Sequence, residues 1–559
     1  MATPSLSLRR ALGHVRSLLP TAADYSMLRR TWRGDLLAGA TVGVIALPLA
    51  LAFGVSSGVG AEVGLITAIV AGIVAAVFGG SNVQVSGPTG AMVVVLAPIV
   101  VQYGVEAVAV VSLMAGAIVV IAGMLRLGRT VTYIPWPVIE GFTFGIAIII
   151  AAQQIPAALG VAAKVAPQAI VAAFAAFGQL TWPVAVWSIG LTLLVVVIML
   201  VLPRVHRLLP ASLISIIVVT VLAQLLEAPV DVIGALPSSL PAPGLPVLGL
   251  IDPLVLVGPA AAVAALAAIE SLLSARVAAS LAPTGRVDAD RELVGQGLAS
   301  IASGFFGGMP ATGAIARTAV NVRSGGRSRL SAIVHSLVLV LVVYAASGLV
   351  SGIPLAALAG VLIVTAIRMV APATVRAIVR STRSDAAIFI VTAIVTISFD
   401  LIIAVLIGIA AAALMALRDL AQSSSVTREP LPGPAVTGDE LIAAVRIEGA
   451  LFFGAAERVL DEIAAIDEVS VVIIRLSKLR GLDATGARAI CDIIDALERR
   501  GVTAIVKGVQ PQHLGLIERV GVTHRLRHPR HLTASLDDAV EHARSHVLRE
   551  RESRIDGSD

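Results

Sequence analysis

Two short segments rich in glycine and proline interrupt hydrophobic stretches in opposite halves of the 559-residue chain. They are Ser86-Gly87-Pro88-Thr89-Gly90 and Met309-Pro310-Ala311-Thr312-Gly313. Proline is tolerated at the first turn of a helix, where its missing N–H costs no hydrogen bond. We therefore expect a short helix to begin after each segment, with its free N–H groups and positive dipole end directed at the interruption. Such an arrangement binds anions.

The two helix starts define the candidate binding residues. They are Thr89, Gly90 and Ala91 at the first start, and Gly313, Ala314 and Ile315 at the second. The lack of bulk at the glycines lets an anion approach the backbone, although the same glycines could serve only tight helix crossing. Interruptions at corresponding places in two halves of a membrane protein are typical of a transporter's substrate site.

Glu270 lies near the middle of an otherwise apolar stretch. An ionisable residue at that depth is costly and usually faces a cavity or an ion pathway. Burial disfavours its charged form, so Glu270 is a candidate proton carrier. Ser274 lies four residues on, hence on the same helix face. The alternative is a structural ion pair with Arg276 or Arg317.

The composition requires lipid around most of the chain. Hydrophobic residues make up 57% and charged residues 14%, and the mean hydropathy is +0.94. About fourteen stretches are long enough to span or half-span ~30 Å of hydrocarbon. They run over 35–55, 63–79, 88–102, 107–125, 136–156, 183–203, 210–227, 254–281, 293–307, 312–322, 331–350, 355–372, 385–399 and 400–418. The chain is therefore interpreted as a polytopic α-helical membrane protein.

Charge gives the expected orientation. Arginines such as Arg126, Arg129, Arg204 and Arg207 fall in alternate loops, which places those loops and the segment 1–34 in the cytoplasm. Seven stretches precede the outer loop 228–252 and seven follow it. An odd number in each half makes any structural repeat inverted. The basic residues are thus explained without nucleic-acid binding.

Beyond the transmembrane region 35–420, a Ser-, Pro- and Gly-rich linker is predicted at 421–438. Alternating strand and helix patterns over 439–549 predict a small cytoplasmic α/β domain, followed by a polar tail, 550–559. The sequence has no evident metal-ligand spacing, phosphate-binding loop or nucleophile–base arrangement. We therefore expect neither a metal site nor an enzyme.

Several motifs together resemble the SulP (solute carrier 26) anion transporter family. They are Asp35-Leu36-Leu37-Ala38-Gly39, Ser86-Gly87-Pro88-Thr89, Ala268-Ile269-Glu270-Ser271-Leu272-Leu273, Glu292-Leu293-Val294-Gly295-Gln296-Gly297, and Arg317 with Asn321. The terminal domain resembles the STAS domain of that family. The resemblance implies a seven-plus-seven inverted repeat with core and gate domains. It is strongest to the proton-coupled C4-dicarboxylate branch and the bicarbonate branch.

The resemblance also carries residue roles. Phe53 aligns with an aromatic residue that lines the anion cavity, and Arg317 either contacts the anion or pairs with Glu270. Sodium-coupled relatives have Asp and Thr where this chain has Glu270 and Ser274. Another Thr of their sodium site aligns with Ile315, which offers no side-chain oxygen. The interpretation is therefore coupling to protons, with Na+ as the alternative ion.

These observations predict a secondary active transporter of a small anion in a bacterial cytoplasmic membrane. Candidate anions are C4-dicarboxylate, bicarbonate and sulfate, moved with a proton by an elevator or rocking mechanism. The alternatives are a sodium-coupled bicarbonate symporter and a passive anion channel or exchanger. The resemblance further implies a homodimer, and a cytoplasmic protein partner for the STAS domain remains open. Ala484 stands where related antagonist domains carry a phosphorylated serine, so phosphoregulation by that route is not expected.

Overall fold

The structure, a computed structural model, describes residues 17–129, 135–161, 169–205, 209–236, 239–246, 252–281, 285, 287–398, 407–408, 410–411, 413–415, 417–418, 425–452 and 456–556. The chain forms two compact units, residues 1–409 and 410–559.

The first unit is built from apolar helices. In chain order they are α1 (Leu28–Ser56), α2 (Ala61–Phe78), α3 (Gly90–Tyr103), α4 (Glu106–Met124), α5 (Trp136–Ala158), α6 (Ala169–Phe177), α7 (Val184–Val205), α8 (Ala211–Leu225), α9 (Val257–Leu281), α10 (Ala289–Phe305), α11 (Ile315–Arg323), α12 (Arg329–Ser351), α13 (Leu355–Met369), α14 (Pro372–Ser381) and α15 (Arg383–Ser398). Eight helical segments of the described chain are long and apolar enough to cross a membrane.

These helices match the predicted stretches closely through 385–399. The fourteenth predicted stretch, 400–418, lies largely outside the described residues. A further short helix, α6, lies between the predicted stretches 136–156 and 183–203. Helix α14 was not predicted as an element, because its arginines Arg376 and Arg380 made this segment resemble a polar loop.

The helices pack as two bundles that interleave the halves of the sequence. In one bundle α10 packs on α2 and α4, and α12 packs on α1 and α2. In the other, α13 packs on α5 and α7, and α15 packs on α5. Each half of the chain thus contributes to both bundles, as a core domain and a gate domain require. Each half also has its interruption before its third helix, α3 or α11.

The second unit is an α/β domain. Strands β1 (Ser86–Gly87) and β2 (Thr312–Gly313) belong to the first unit, and the sheet of the second unit has the order β3-β4-β5-β6-β7. The strands are β3 (Ser425–Glu429), β4 (Ile442–Leu451), β5 (Val471–Leu482), β6 (Thr503–Lys507) and β7 (Leu532–Thr533), and the helices are α16 (Ala456–Ala464), α17 (Ala484–Arg499), α18 (Pro511–Val520), α19 (Val522–Arg525) and α20 (Leu536–Asp556). Only β3, among these, runs antiparallel to its neighbour.

Alternate residues of the central strands fill two cores. Val472 and Ile474 pack with Ile490 of α17 on one face of the sheet. Ile473 packs with Ala539 and Ala543 of α20 on the other face. The period-two alternation of a strand explains why one run of apolar residues serves both cores.

Three predicted boundaries differ from the structure. Ser425–Glu429, predicted as linker, forms the edge strand β3, whose mostly polar residues carry no apolar alternation. Helix α20 continues through the predicted tail to Asp556. Helix α1 begins at Leu28, inside the predicted N-terminal segment 1–34.

Candidate functional site

The two interruptions meet each other. Ser86–Gly87 (β1) and Thr312–Gly313 (β2) pair as antiparallel strands, with Ser86 opposite Gly313 and Gly87 opposite Thr312. All four residues are buried. Non-helical backbone inside a membrane protein must find partners within the protein. The pairing supplies them and brings the starts of α3 and α11 to one place.

Helices α3 and α11 both begin at this junction without a capping side chain. Thr89 precedes α3 and Ala314 precedes α11, and neither caps its helix with a side-chain hydrogen bond. Both helices therefore direct their first N–H groups and positive dipole ends at the junction. This geometry is suited to holding a negative charge.

Not every predicted backbone donor is available. The N–H of Gly313 donates to Ser271 Oγ at 3.0 Å, and the N–H of Ala314 donates to the Val85 carbonyl at 2.9 Å. Among the described hydrogen bonds, none engages the N–H of Gly90, Ala91 or Ile315. These three remain the candidate backbone donors to an anion.

Glu270 joins the two interruptions. Its Oε2 accepts a hydrogen bond from the Thr89 hydroxyl at 2.8 Å and another from the Thr312 hydroxyl at 2.8 Å. The two hydroxyl oxygens lie 3.0 Å apart. One threonine thus comes from each interruption, and helix α9 supplies the carboxylate between them. Thr312 was not among the predicted site residues, although it belongs to the second interruption.

Ser274 is not in this group. Its hydroxyl donates to Thr318 Oγ1 at 3.1 Å, and Thr318 Oγ1 in turn accepts from the backbone N–H of Val85 at 3.0 Å. Ser274 thus makes a contact that holds α9 to α11, and none of the described hydrogen bonds joins it to Glu270. A spacing of four residues placed the two side chains on one face but not in contact.

Arg317 braces the first interruption. Its Nη2 donates to the carbonyl of Pro88, and its Nη1 has no hydrogen-bond partner among the described residues. The side chain is buried. No ion pair joins Arg317 to Glu270 among the described residues. The guanidinium therefore holds the backbone just before α3.

Gly90 packs closely against Ile150 and lies near Phe53. A Cβ atom added to Gly90 would lie 2.4 Å from Ile150 Cδ1 and 3.5 Å from Phe53 Cε1. Gly90 therefore faces α1 and α5, where α3 meets the other bundle. Ile315, at the start of α11, is 37% exposed. The absence of a side chain at Gly90 lets Ile150 pack closely against the start of α3.

Gln84 is a buried residue of the site that the sequence analysis missed. Neither its amide nitrogen nor its amide oxygen has a hydrogen-bond partner within the described residues. A Cβ added to Gly313 would lie 1.9 Å from Gln84 Nε2. Gln84 thus packs on the second interruption with a free donor and a free acceptor. Its place in the segment before the first interruption was the available sequence signal.

Side chains from the second half hold the segment that leads to the first interruption. Glu292 Oε2 accepts from the N–H groups of Gly80 at 2.8 Å and Ser81 at 2.9 Å. Gln296 donates to Glu292 and to Ser86. Asn321 donates to the Val83 carbonyl at 2.8 Å. The motifs around Glu292 and Asn321 therefore position the site rather than contribute to its chemistry.

A cavity of about 1120 Å³ lies between the bundles. Its lining includes Ser56, Val94, Gln153, Gln154 and Pro259, from helices α1, α3, α5 and α9. Val94 is one helical turn from Gly90. The cavity therefore extends to within one helical turn of the first residue of α3.

The sequence matches the models of two known families. Residues 32–392, more than half of the chain, match the sulfate permease family. Residues 433–539 match the STAS domain. The terminal α/β unit is therefore a STAS domain, as the resemblance implied.

Curated relatives agree over most of the length. The putative sulfate transporter YvdB of Bacillus subtilis is 35% identical over 88% of this chain and 94% of that protein. The bicarbonate transporter BicA of Synechocystis is 31% identical over 88% of this chain and 91% of its own length. Neither is named for a C4-dicarboxylate.

Solved structures agree with the fold. The transmembrane domain of a cyanobacterial bicarbonate transporter BicA is 32% identical, with a TM-score of 0.60, over 68% of this chain and 97% of that one. The structure of SLC26A9 is 16% identical and shares the fold, with a TM-score of 0.81 over 98% and 96% of the two chains. The relatives are named as transporters, not enzymes, and the chain belongs to the sulfate permease family, also called the SulP or solute carrier 26 family.

Proposed function

We propose that this anion transporter is a secondary active symporter, which moves a small oxyanion together with a proton carried by Glu270. The observation that carries the proposal is the contact of one carboxylate with both interruptions, through Thr89 and Thr312. A group that titrates at this point can link its charge state to the geometry of the anion site.

The proposed substrate class is a small inorganic oxyanion, bicarbonate or sulfate. The N–H groups of Gly90, Ala91 and Ile315 at two helix starts recognise negative charge rather than a particular shape. The named relatives add weight, because one is a putative sulfate transporter and another a bicarbonate transporter. Transport of a C4-dicarboxylate is tested by including fumarate in the uptake experiment below.

Coupling follows from the hydrogen-bonding capacity of a carboxyl group. The ionised Glu270 accepts hydrogen bonds from both threonines, whereas a protonated carboxyl is also a donor and must rearrange one of these contacts. Protonation also removes a negative charge from beside the anion site. Moving an anion together with a proton reduces the net charge that crosses the membrane. Each unit charge moved against the membrane potential costs about 2.3 kcal/mol per 100 mV.

Sodium coupling is the second candidate, since three oxygen atoms, of Thr89, Thr312 and Glu270, converge within hydrogen-bonding distance. Against it, Ile315 brings no side-chain oxygen to this place. A passive channel or exchanger is a weaker candidate, because it has no need of an ionisable carboxyl between the two helix starts.

Transport would proceed by movement of the bundle that carries Thr89, Glu270 and Gly313 against the bundle that contains α5 and α13. We further propose a cytoplasmic-membrane location with the N-terminus and STAS domain in the cytoplasm, supported by the arginine-rich alternate loops. A homodimer belongs to the same proposal through family resemblance.

The testing experiment is uptake into proteoliposomes of labelled bicarbonate, sulfate and fumarate, under a pH gradient or a sodium gradient imposed separately. We expect accumulation of bicarbonate or sulfate that depends on the pH gradient and not on sodium. Accumulation driven by sodium alone would support the second candidate, and equilibration without accumulation would support a passive pathway.

A further inference from the structure

A cluster of three histidines lies in the STAS domain, away from the anion site. His531 ends a short turn before β7, and His542 and His546 lie on α20. One ring nitrogen of each histidine lies within 4.8 Å of the others. We propose that His531, His542 and His546 form a binding site for a divalent late transition metal ion such as Zn²⁺.

The spacing suits a metal. The Nε2 atoms of His531 and His546 are 3.3 Å apart. Two nitrogens bound tetrahedrally at 2.0–2.1 Å from a zinc ion are about 3.4 Å apart. His542 and His546 are four residues apart on one helix, so their rings project from the same face. Small side-chain rotations would bring the third nitrogen to the same distance.

Hydrogen bonding within the protein does not account for the cluster. A bond between the Nε2 atoms of His531 and His546 would occupy one nitrogen of each ring. His542 Nε2 is a buried atom without a hydrogen-bond partner among the described residues. The His531 side chain is only 2% exposed. Three clustered imidazole rings, with the unsatisfied Nε2 of His542 among them, are explained by a shared ligand that accepts nitrogen lone pairs.

The surroundings favour the neutral imidazole, which is the form that ligates metals. Burial lowers the pKa of His531 to about 4, and the neighbouring His546, His542, His528 and Arg527 add to the effect. Burial, together with nearby arginines, also lowers the pKa of His542 and of His546.

The donor set indicates the class of metal. Imidazole nitrogens suit Zn²⁺, Cu²⁺ and Ni²⁺ better than Mg²⁺ or Ca²⁺, which prefer oxygen. Three histidines leave a fourth tetrahedral position for water or an anion. Arg530 and Arg549 lie close enough to act on His542 electrostatically. Positive charges there favour an anionic fourth ligand. The inference concerns the STAS domain alone and is independent of the transported anion.

The test uses the full-length chain, freed of any histidine tag and stripped with a chelator. Zn²⁺ binding is measured by calorimetry and by metal analysis after dialysis, and Co²⁺ replaces Zn²⁺ for the absorption spectrum of a tetrahedral site. We expect one Zn²⁺ per chain. His542→Ala and His546→Ala should each weaken Zn²⁺ binding by at least about tenfold. Loss of a metal ligand lowers the affinity more than loss of a residue that only hydrogen-bonds to a ligand.

His524→Ala is the matched control, since His524 is exposed on α19 and outside the cluster. It should bind Zn²⁺ as the wild type does. Circular dichroism without metal checks that each variant is folded, and His546→Gln, which keeps more of the side-chain volume, is used if an alanine variant is not. Absence of Zn²⁺ binding by the wild type, or unchanged affinity in a folded His542 or His546 variant, would overturn the proposal.

Discussion

The Thr89 hydroxyl donates to Glu270 Oε2 at 2.8 Å instead of capping the helix that follows it. This contact ties the first interruption to a helix of the second half. Thr312 makes the equivalent contact from the second interruption. The charge state of one carboxyl group is therefore connected to the backbone at both helix starts.

Replacing Thr312 by valine tests that connection, because valine keeps the shape and removes the hydroxyl. A hydrogen bond to a charged group contributes about 1.5–3 kcal/mol. We expect Thr312→Val to reduce gradient-driven uptake by about tenfold or more, with folding preserved. Thr365→Val is the control, since the Thr365 hydroxyl donates within its own helix, to the Val361 carbonyl, and makes no other hydrogen bond to the described residues. Wild-type uptake and pH dependence in Thr312→Val would separate Thr312 from coupling.

The two glycines at the helix starts should respond differently to substitution. Gly90→Ala places a methyl group 2.4 Å from Ile150 Cδ1 and 3.5 Å from Phe53 Cε1 at the start of α3, so side chains there must shift and we expect weaker anion binding. Binding is measured as anion-induced thermal stabilisation of the purified protein. Unchanged stabilisation by bicarbonate and sulfate in a folded Gly90→Ala protein would place the anion elsewhere.

Gly313→Ala should instead lower the melting temperature without anion, since its methyl group would meet Gln84 Nε2 at 1.9 Å. Shortening Gln84 removes that clash. In the double variant Gln84→Ala, Gly313→Ala we expect part of the lost stability to return, a non-additivity typical of residues in contact. Strictly additive losses in melting temperature would contradict the packing described here.

Sequence patterns predicted most of the helices because long apolar stretches in lipid leave little choice of structure. Both interruptions, Glu270 and the terminal α/β domain were also predicted from sequence patterns, and the family resemblance identified that domain as a STAS domain. The hydrogen bond between Glu270 and Thr312 was not predicted. Ser274 is near Glu270 in the sequence, whereas Thr312 belongs to another segment and contacts Glu270 only in the folded chain. The packing of Gln84 on Gly313 and the approach of His531 to α20 likewise depend on tertiary contacts that spacing along the chain does not encode.

The N-terminal segment offers a test by pH. Asp24 forms an ion pair with Arg291 at 2.9 Å. Burial opposes ionisation of Asp24, but hydrogen bonds from Arg291 and Thr21 outweigh it and lower its pKa from 3.8 to about 2. A lowered carboxyl pKa stabilises the fold above about pH 4, and this contribution is lost as the pH falls through about 2.

We therefore expect Asp24→Asn to lower the melting temperature at neutral pH, and the difference from wild type to shrink as the pH falls below 4. Melting curves in lipid nanodiscs across that range provide the measurement. Asp252→Asn is the control, since its carboxylate is bonded locally to Leu254. A constant difference at all pH values would show that the Asp24 charge is not what stabilises the segment.

Removal of residues 425–559 tests the division between the two units. Each candidate anion-binding residue lies in the unit 1–409, and the STAS domain has cores of its own. The truncated protein should still be stabilised by its anion, while uptake and oligomeric mass fall. Loss of anion-induced stabilisation in a truncated protein that still melts cooperatively would assign part of the site to the STAS domain.

The central claim is that Glu270 couples anion movement to protons. The most direct measurement compares wild type and Glu270→Gln in proteoliposomes, by pH-gradient-driven accumulation and by anion exchange without a gradient. We predict that Glu270→Gln loses accumulation but retains exchange, because glutamine fills the same volume and does not titrate, while Glu106→Gln behaves as wild type. Full pH-driven accumulation by Glu270→Gln would contradict the account.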